Sequence, residues 1–325
     1  MTKPLLSVDN LVVTYGARKN AVQAVAGVSF EIFEGETLGL VGESGCGKST
    51  TGRAILQLEK VTSGSVTFDG EELTSLSPGE MRTRRRKLQM LFQDPISSLN
   101  PRRKIKHIVA EPLIIWKEGD EESRSNLVDQ MLLEVGIDPH LAGDRYPRAF
   151  SGGQCQRISI ARSLVANPRL LLCDEMVSAL DVSVQAQIIN LLSDLKVKHN
   201  LTLLFIAHDL AVVKNVSDRV AVMYLGRLCE LGPSDDLYAH PLHPYTAALL
   251  SAAVVPDPTV GLTHHTLEGE PPSPINPPSG CRFRTRCPNA EARCAEEVPE
   301  LREIRPGHQV ACHFPLEAVP VSIQS

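Results

Sequence analysis

The chain has no apolar run close to the roughly 20 residues needed to cross a bilayer. Its longest candidates, residues 201–207 and 245–256, are short or interrupted. Residues 1–10 lack the apolar stretch of a secretory signal, so the sequence predicts a cytoplasmic protein that reaches a membrane only by docking on a partner that spans it. A surplus of positive charge is also missing. The 33 Lys and Arg against 38 Asp and Glu leave a formal charge of -5, which gives no general attraction to nucleic acid. The one basic run, Arg82-Thr83-Arg84-Arg85-Arg86-Lys87, reads as a solvated face. Internal repeats are absent, and the only biased tract is the proline-rich 269–278, which can form neither a regular helix nor a central strand. With 42% hydrophobic and 22% charged residues the composition excludes global disorder. A length of 325 residues suits one large domain with an appendage.

The most specific segment present is Gly42-Glu43-Ser44-Gly45-Cys46-Gly47-Lys48-Ser49-Thr50, which follows the pattern GxxxxGK[ST]. In such a loop backbone N–H groups cradle phosphates, the lysine reaches the terminal phosphates and the hydroxyl after it holds Mg²⁺. Here those roles fall to Lys48 and Ser49. The context agrees: residues 37–41 read as a short apolar strand entering the loop, and a helix starts at Lys48 and continues through Arg53, Ala54, Ile55 and Leu58. Residues 5–15 and 22–33 read as strands. Residues 105–136 have helical spacing with Val128, Met131, Leu132 and Val135 on one face, and we expect a helical subdomain at about 95–165. Further on, 154–166 reads as a helix, 169–173 as a buried strand, 182–198 as a helix and 201–207 as another buried strand. This alternation predicts an α/β fold with a mainly parallel sheet.

Other chemistry-bearing residues fall at strand ends and helix starts. Asp174 closes an apolar strand and can hold Mg²⁺, with Glu175 after it placed to orient or deprotonate a water. Ser151-Gly152-Gly153-Gln154 opens a helix, so its two glycines expose N–H groups to an anion as a second phosphate cradle would. A span of 109 residues separates Gly42 from Ser151. Together the glycine loop, the Ser-Gly-Gly-Gln segment and the Asp-Glu pair resemble those of ABC transporter nucleotide-binding subunits. The resemblance implies a P-loop ATPase domain with an antiparallel β subdomain and an inserted α-helical subdomain. It implies that Tyr15 stacks on adenine, where packing of the ring on the core is the competing reading, and that Gln93 contacts Mg²⁺ and water. His208 would meet the γ-phosphate, and Asp181 would lie in the segment crossing a dimer interface. Residues Ser151 to Gln154 would close over ATP held by a second, homologous ATPase subunit. Phe150, Cys155 and Met176 stand where leucine, arginine and proline are more usual in that family. None of the three removes a ligand, although Met176 bears on how firmly Glu175 is positioned.

The tail narrows the resemblance. His243-Pro244-Tyr245-Thr246-Ala247-Ala248-Leu249-Leu250 and the stretch 269–281 look like the C-terminal extension of ATPase subunits of bacterial dipeptide and oligopeptide importers. We therefore expect a nucleotide-binding domain over 1–232 and an extension over 233–325. The expected partners are a second ATPase, two transmembrane permease subunits and an extracytoplasmic peptide-binding protein, with the chain peripheral on the cytoplasmic face of the inner membrane. Cargo such as nickel, glutathione or opines stays open, and a soluble ABC ATPase is the more distant alternative. Cys281, Cys287, Cys294 and Cys312 are spaced C-x5-C-x6-C-x17-C. Disulfides are disfavoured in a cytoplasmic protein, and the close cysteine pairs of structural zinc sites are absent. Chemistry alone leaves a metal or cluster and unligated thiols both open. The resemblance implies a [4Fe–4S] cluster. Cys46, Cys155, Cys173 and Cys229 read as small core residues.

Overall fold

The computed structural model describes residues 3–16, 21–253 and 269–316, so the extension 233–325 and the apolar stretch 245–256 fall partly outside the described residues. Strand β1 (Leu6–Tyr15) pairs antiparallel with β2 (Val22–Ile32), Leu6 standing opposite Ile32 and Tyr15 opposite Val22. Much of both strands alternates buried with more exposed positions, as one-sided burial of a pleated strand requires. Strand β3 (Thr37–Val41) is buried at every position and leads to helix α1 (Lys48–Ile55). Strands β4 (Ser63–Phe68) and β5 (Glu71–Glu72) complete an antiparallel sheet of order β2-β1-β4-β5. The sequence carried the first helix on to Leu58. It stops at Ile55 because Gln57 takes φ 52°, a left-handed conformation that ends a helix, and Leu58 is left exposed.

Residues Leu76–Phe205 form a compact unit of their own. It opens with α2 (Pro78–Arg84), whose start carries a reciprocal Ser77–Glu80 capping box. The basic run lies at the end of that helix, with Arg82 and Arg84 exposed, which complements the helix dipole as a solvated face does. Strand β6 (Leu88–Leu91) follows, then α3 (Pro95–Ser98), α4 (Ile105–Ile115), α5 (Glu121–Glu134), α6 (Pro139–Ala142) and α7 (Gly152–Leu164). The helical stretch read over 105–136 is thus two helices. Lys117 and Gly119 both take positive φ, 55° and 60°, and Asp120 caps α5 through the Ser123 N–H. Val128, Met131, Leu132 and Val135 are all buried, and α4, α5 and α7 pack against one another. Strand β7 (Leu170–Asp174), parallel to β6, then α8 (Val182–His199) and all but the last residue of β8 (Thr202–Ile206) finish the unit. Both β7 and β8 are buried throughout, the pattern of central parallel strands.

The chain then rejoins the first unit. Helix α9 (Leu210–Val216) packs on β3 and precedes β9 (Arg219–Tyr224) and β10 (Arg227–Pro233). After them come α10 (Ser234–Ala239), α11 (Pro244–Ala253), α12 (Ala292–Glu296), β11 (Arg302–Arg305) and β12 (His308–Val310). Within this unit the strands run in the order β11-β12-β10-β9-β3, with β9 parallel to β3 and the rest antiparallel. Residues 269–278 form neither helix nor strand, as their prolines dictate. The tail is therefore built onto the sheet whose strand β3 launches the glycine loop.

Candidate functional site

The loop from Gly42 to Gly47 joins the buried end of β3 to α1. Gly47 sits at the helix N-cap with φ 106°, and a Cβ there would stand 2.1 Å from the Ala24 carbonyl oxygen, so only glycine closes the loop. Lys48 is 4% exposed, and its ammonium donates to the carbonyls of Gly42 at 2.8 Å and Glu43 at 3.0 Å. Ser44 and Gly45 are exposed while Cys46 is buried, and burial pushes the Cys46 thiol up, which keeps it protonated. Ser49 and Thr50, partly exposed, open α1.

Two further expected residues lie in the same unit. Tyr15 is 41% exposed, which removes the competing reading of a ring packed into the core. Partial burial holds its phenol above the usual pKa, with Thr50 and Glu59 acting on it through side-chain hydrogen bonds, so the ring stands beside the start of α1. His208 is exposed, and the Ala207 N–H before it donates to Leu40 of β3 at 3.3 Å. That bond brings His208 beside the strand end from which the loop departs.

The other expected residues belong to the Leu76–Phe205 unit. Asp174 is 3% exposed at the end of β7. Glu175 takes φ 47°, a left-handed conformation costing an L-residue roughly 1–2 kcal/mol. Its surroundings impose it: the Ser178 N–H and Oγ donate to the Glu175 carbonyl at 3.1 and 2.8 Å, and Met176 is buried beneath. Gln93 Nε2 donates to Glu175 Oε2 at 3.1 Å, so the structure joins these two residues, 82 positions apart. Backbone strain of this kind clusters at active sites and switch regions.

In the same unit Ser151 caps α7. Its Oγ accepts from the Gln154 N–H at 3.3 Å, and Gln154 Oε1 accepts from the Ser151 N–H at 3.0 Å. Gly152 and Gly153 form the first turn of α7. A Cβ on Gly153 would stand 2.6 Å from Val184 Cγ1, so this glycine is needed for α7 to start against α8. Asp181 is the exposed N-cap of α8, and Gln185 Nε2 ties the segment before it by donating to Val177 O at 2.9 Å and Leu180 O at 3.1 Å. Cys155 and Cys173 are buried, as read from sequence.

Cys281, Cys287, Cys294 and Cys312 are free thiols in one neighbourhood. The Cys281 N–H donates to the Cys294 carbonyl at 2.8 Å. Burial pushes the Cys312 thiol up to about 12, with Cys281, Cys287 and Cys294 adding to the rise. Burial likewise raises Cys281 and Cys287. Among the described residues, however, no three or more His, Cys, Asp or Glu side chains are arranged to hold a metal ion. The expectation of a cluster site is thus not met by the geometry. Burial of Cys281, Cys287 and Cys312 favours the neutral thiol over the metal-binding thiolate.

The sequence reading overlooked Glu43, Tyr245 and Arg286. Glu43 was only a variable position of the glycine loop, yet Arg286 and Tyr245 of the tail both bond to it. The available signal was that Tyr245 lies in the 243–250 segment that sets the extension apart, whereas Arg286 falls outside both such segments, next to Cys287.

A phosphate loop entered from a buried parallel strand, an Asp-Glu pair after a second such strand, and a Ser-Gly-Gly-Gln helix cap define a nucleotide-hydrolysing ATP-binding cassette. The comparisons agree. The ABC transporter family model matches residues 25–178, and the model of the oligopeptide/dipeptide transporter C-terminal region matches 229–294. The oligopeptide transport ATP-binding protein OppF of Escherichia coli is 56% identical over 295 residues, covering 90% of this chain and 87% of that one. AppF of Bacillus subtilis, likewise an oligopeptide transport ATP-binding protein, is 52% identical over 296 residues, covering 90% of each. A dimeric ATP-binding cassette solved in a post-hydrolysis state with ADP and Pi matches with a TM-score of 0.64 at 29% identity, over 70% of this chain and 98% of that one. The structure of cbiO1 from Clostridium perfringens matches with a TM-score of 0.66 at 27% identity, over 72% of this chain and 90% of that one. The chain belongs to the ATP-binding subunits of ABC transporters, in the branch with the oligopeptide/dipeptide C-terminal region, and it is an ATPase.

Proposed function

We propose that the chain powers an importer of di- or oligopeptides. The observation that carries this reading is its 56% identity to an oligopeptide transport ATP-binding protein over 90% of its length, tail included. In this reading the chain has a nucleotide-binding domain over 1–232 and an extension over 233–325. It works with a second ATPase subunit, two permease subunits and an extracytoplasmic peptide-binding protein, on the cytoplasmic face of the membrane. Among the described residues no helix is long and apolar enough to cross a bilayer, which agrees with a peripheral subunit.

The chemistry assigned to the chain is in-line attack of water on the γ-phosphoryl group, driven by positioning and charge neutralisation. Lys48 and the N–H groups of Ser44 to Thr50, with Gly42 shaping the turn, take the phosphates. Tyr15 takes the adenine, and Glu175 with His208 holds and activates the water. Ser151 to Gln154 and Asp181 serve the ATP bound by the partner subunit. Hydroxyl, amide and carboxylate oxygens suit a hard cation, so on donor chemistry Mg²⁺ is assigned to Ser49, Gln93 and Asp174. When bound, it neutralises phosphate charge. A [4Fe–4S] cluster on the four tail cysteines rests on their residue type and on the family resemblance alone, since among the described residues no three such side chains are arranged to hold a metal ion. Iron and acid-labile sulfide co-eluting with anaerobically prepared chain is the expected result, and their absence removes the cluster.

Affinity purification of the tagged chain from gently solubilised membranes tests the reading as a whole. Two polytopic permease subunits and a second ATPase are expected to follow it. Ribosomes or DNA-repair factors without a permease would replace the importer by a soluble ATPase.

A further inference from the structure

Glu43 places a carboxylate inside a loop whose task is to bind phosphate. An unpaired negative charge there opposes the ligand. The structure deals with it from the tail. Arg286 grips the carboxylate with both guanidinium nitrogens, Nη1 to Oε2 at 2.8 Å and Nη2 to Oε1 at 3.1 Å, the fork geometry of strong Arg–carboxylate pairs. The pair is largely shielded, with side chains 5% and 24% exposed for Arg286 and Glu43.

The backbone of Glu43 is held as completely as its side chain. Its N–H donates to the Tyr245 hydroxyl at 2.9 Å, and its carbonyl accepts from the Lys48 ammonium at 3.0 Å and the Cys46 N–H at 3.3 Å. Tyr245 is fully buried, its ring centroid 4.6 Å from that of Tyr224 and 5.3 Å from that of Phe283. Arg286 stands over the Tyr224 ring at 5.9 Å and bonds the Tyr224 hydroxyl at 3.4 Å. Its N–H donates to the Phe283 carbonyl at 2.9 Å. Both partners of Glu43 are thus anchored in a rigid aromatic cluster.

We propose that Arg286 and Tyr245 are positioning residues for the phosphate-binding loop: Tyr245 fixes the Glu43 backbone, and Arg286 cancels the Glu43 charge so that the loop accepts ATP. The tail thereby sets nucleotide affinity without touching the nucleotide. This rests on the ATPase reading of the loop. It also explains why an extension 202 and 243 residues downstream is built onto the β3 sheet.

The test is Mg-ATP affinity of the full-length chain, with ATPase rates of the assembled complex. Arg286→Ala is expected to weaken ATP binding about tenfold, equal to about 1.4 kcal/mol, and to raise KM while kcat changes by less than about twofold. Arg286→Lys keeps the charge but loses the fork, and is expected to bind ATP more tightly than Arg286→Ala and more weakly than wild type. The decisive variant is Glu43→Gln combined with Arg286→Ala, which removes the uncompensated charge and is expected to recover most of the lost affinity. Tyr245→Phe is expected to raise KM by a smaller factor. Wild-type affinity in Arg286→Ala, or a double variant no tighter than the single one, would overturn the proposal. If Arg286→Ala folds poorly, the lysine variant decides: affinity as weak as a tenfold loss refutes charge cancellation. A wild-type chain that binds no ATP would refute the ATPase reading instead.

Discussion

Glu175→Gln is expected to lower ATP turnover by about 10²–10⁴-fold, the usual contribution of a general base, while ATP binding stays at the wild-type level. Glutamine keeps the size of the side chain and an acceptor oxygen for Gln93 Nε2, which lies 3.1 Å from Glu175 Oε2. The buried Met176 and the Ser178 bonds to the 175 carbonyl act on the backbone, so the left-handed φ of 47° survives the substitution. Only the carboxylate basicity is lost. Phosphate release under saturating ATP, read beside Mg-ATP binding to the same preparation, checks this. Full turnover would remove Glu175 from the chemistry, and lost binding would make it a structural residue.

Glu230→Ala is expected to destabilise the chain by roughly 3–5 kcal/mol, because it leaves several buried hydrogen-bond donors without an acceptor at about 1–3 kcal/mol each. Glu230 lies in β10 with no exposed surface. Its carboxylate accepts three hydrogen bonds, from Leu242 N–H at 2.7 Å, His243 N–H at 2.9 Å and His308 Nε2 at 2.7 Å. These donors come from the turn before α11 and from β12, so one side chain ties both parts of the tail to the sheet. Beside it, burial depresses His243 to about 4, which keeps the ring neutral with Nδ1 accepting from the Tyr245 N–H at 3.0 Å. Alanine strands two buried backbone donors and an imidazole. The melting temperature is expected to fall by on the order of 10 °C, and Glu230→Gln by less, because one acceptor oxygen remains. A shift within about 1 °C for the alanine variant would show that the tail is held elsewhere.

What could be read in the sequence was mostly local. The strand of residues 37–41 matches β3 residue for residue, since Leu38, Leu40 and Val41 make a short, largely apolar segment that runs straight into the glycine loop at Gly42. The burial of Val128, Met131, Leu132 and Val135 followed from their spacing. Helix ends were less legible. The end of α1 depends on Gln57, and the break between α4 and α5 on Lys117 as well as Gly119, and neither Gln57 nor Lys117 advertises a positive φ. The exposure of Tyr15 argues against a ring packed in the core, a point that its residue type left open. The hold on Glu43 was invisible, because its partners lie more than 200 positions away and no local pattern links a loop glutamate to a distant arginine. For the four tail cysteines the spacing said which residues belong together, and the structure brings them into one neighbourhood without arranging them around a metal.

The most direct test of the central claim is uptake of a labelled oligopeptide by cells lacking this chain, complemented with either wild type or Glu175→Gln. The account predicts that uptake is lost without the chain, returns with wild type and stays lost with the variant, although both proteins accumulate equally. Undiminished uptake without the chain, or full rescue by Glu175→Gln, would contradict it.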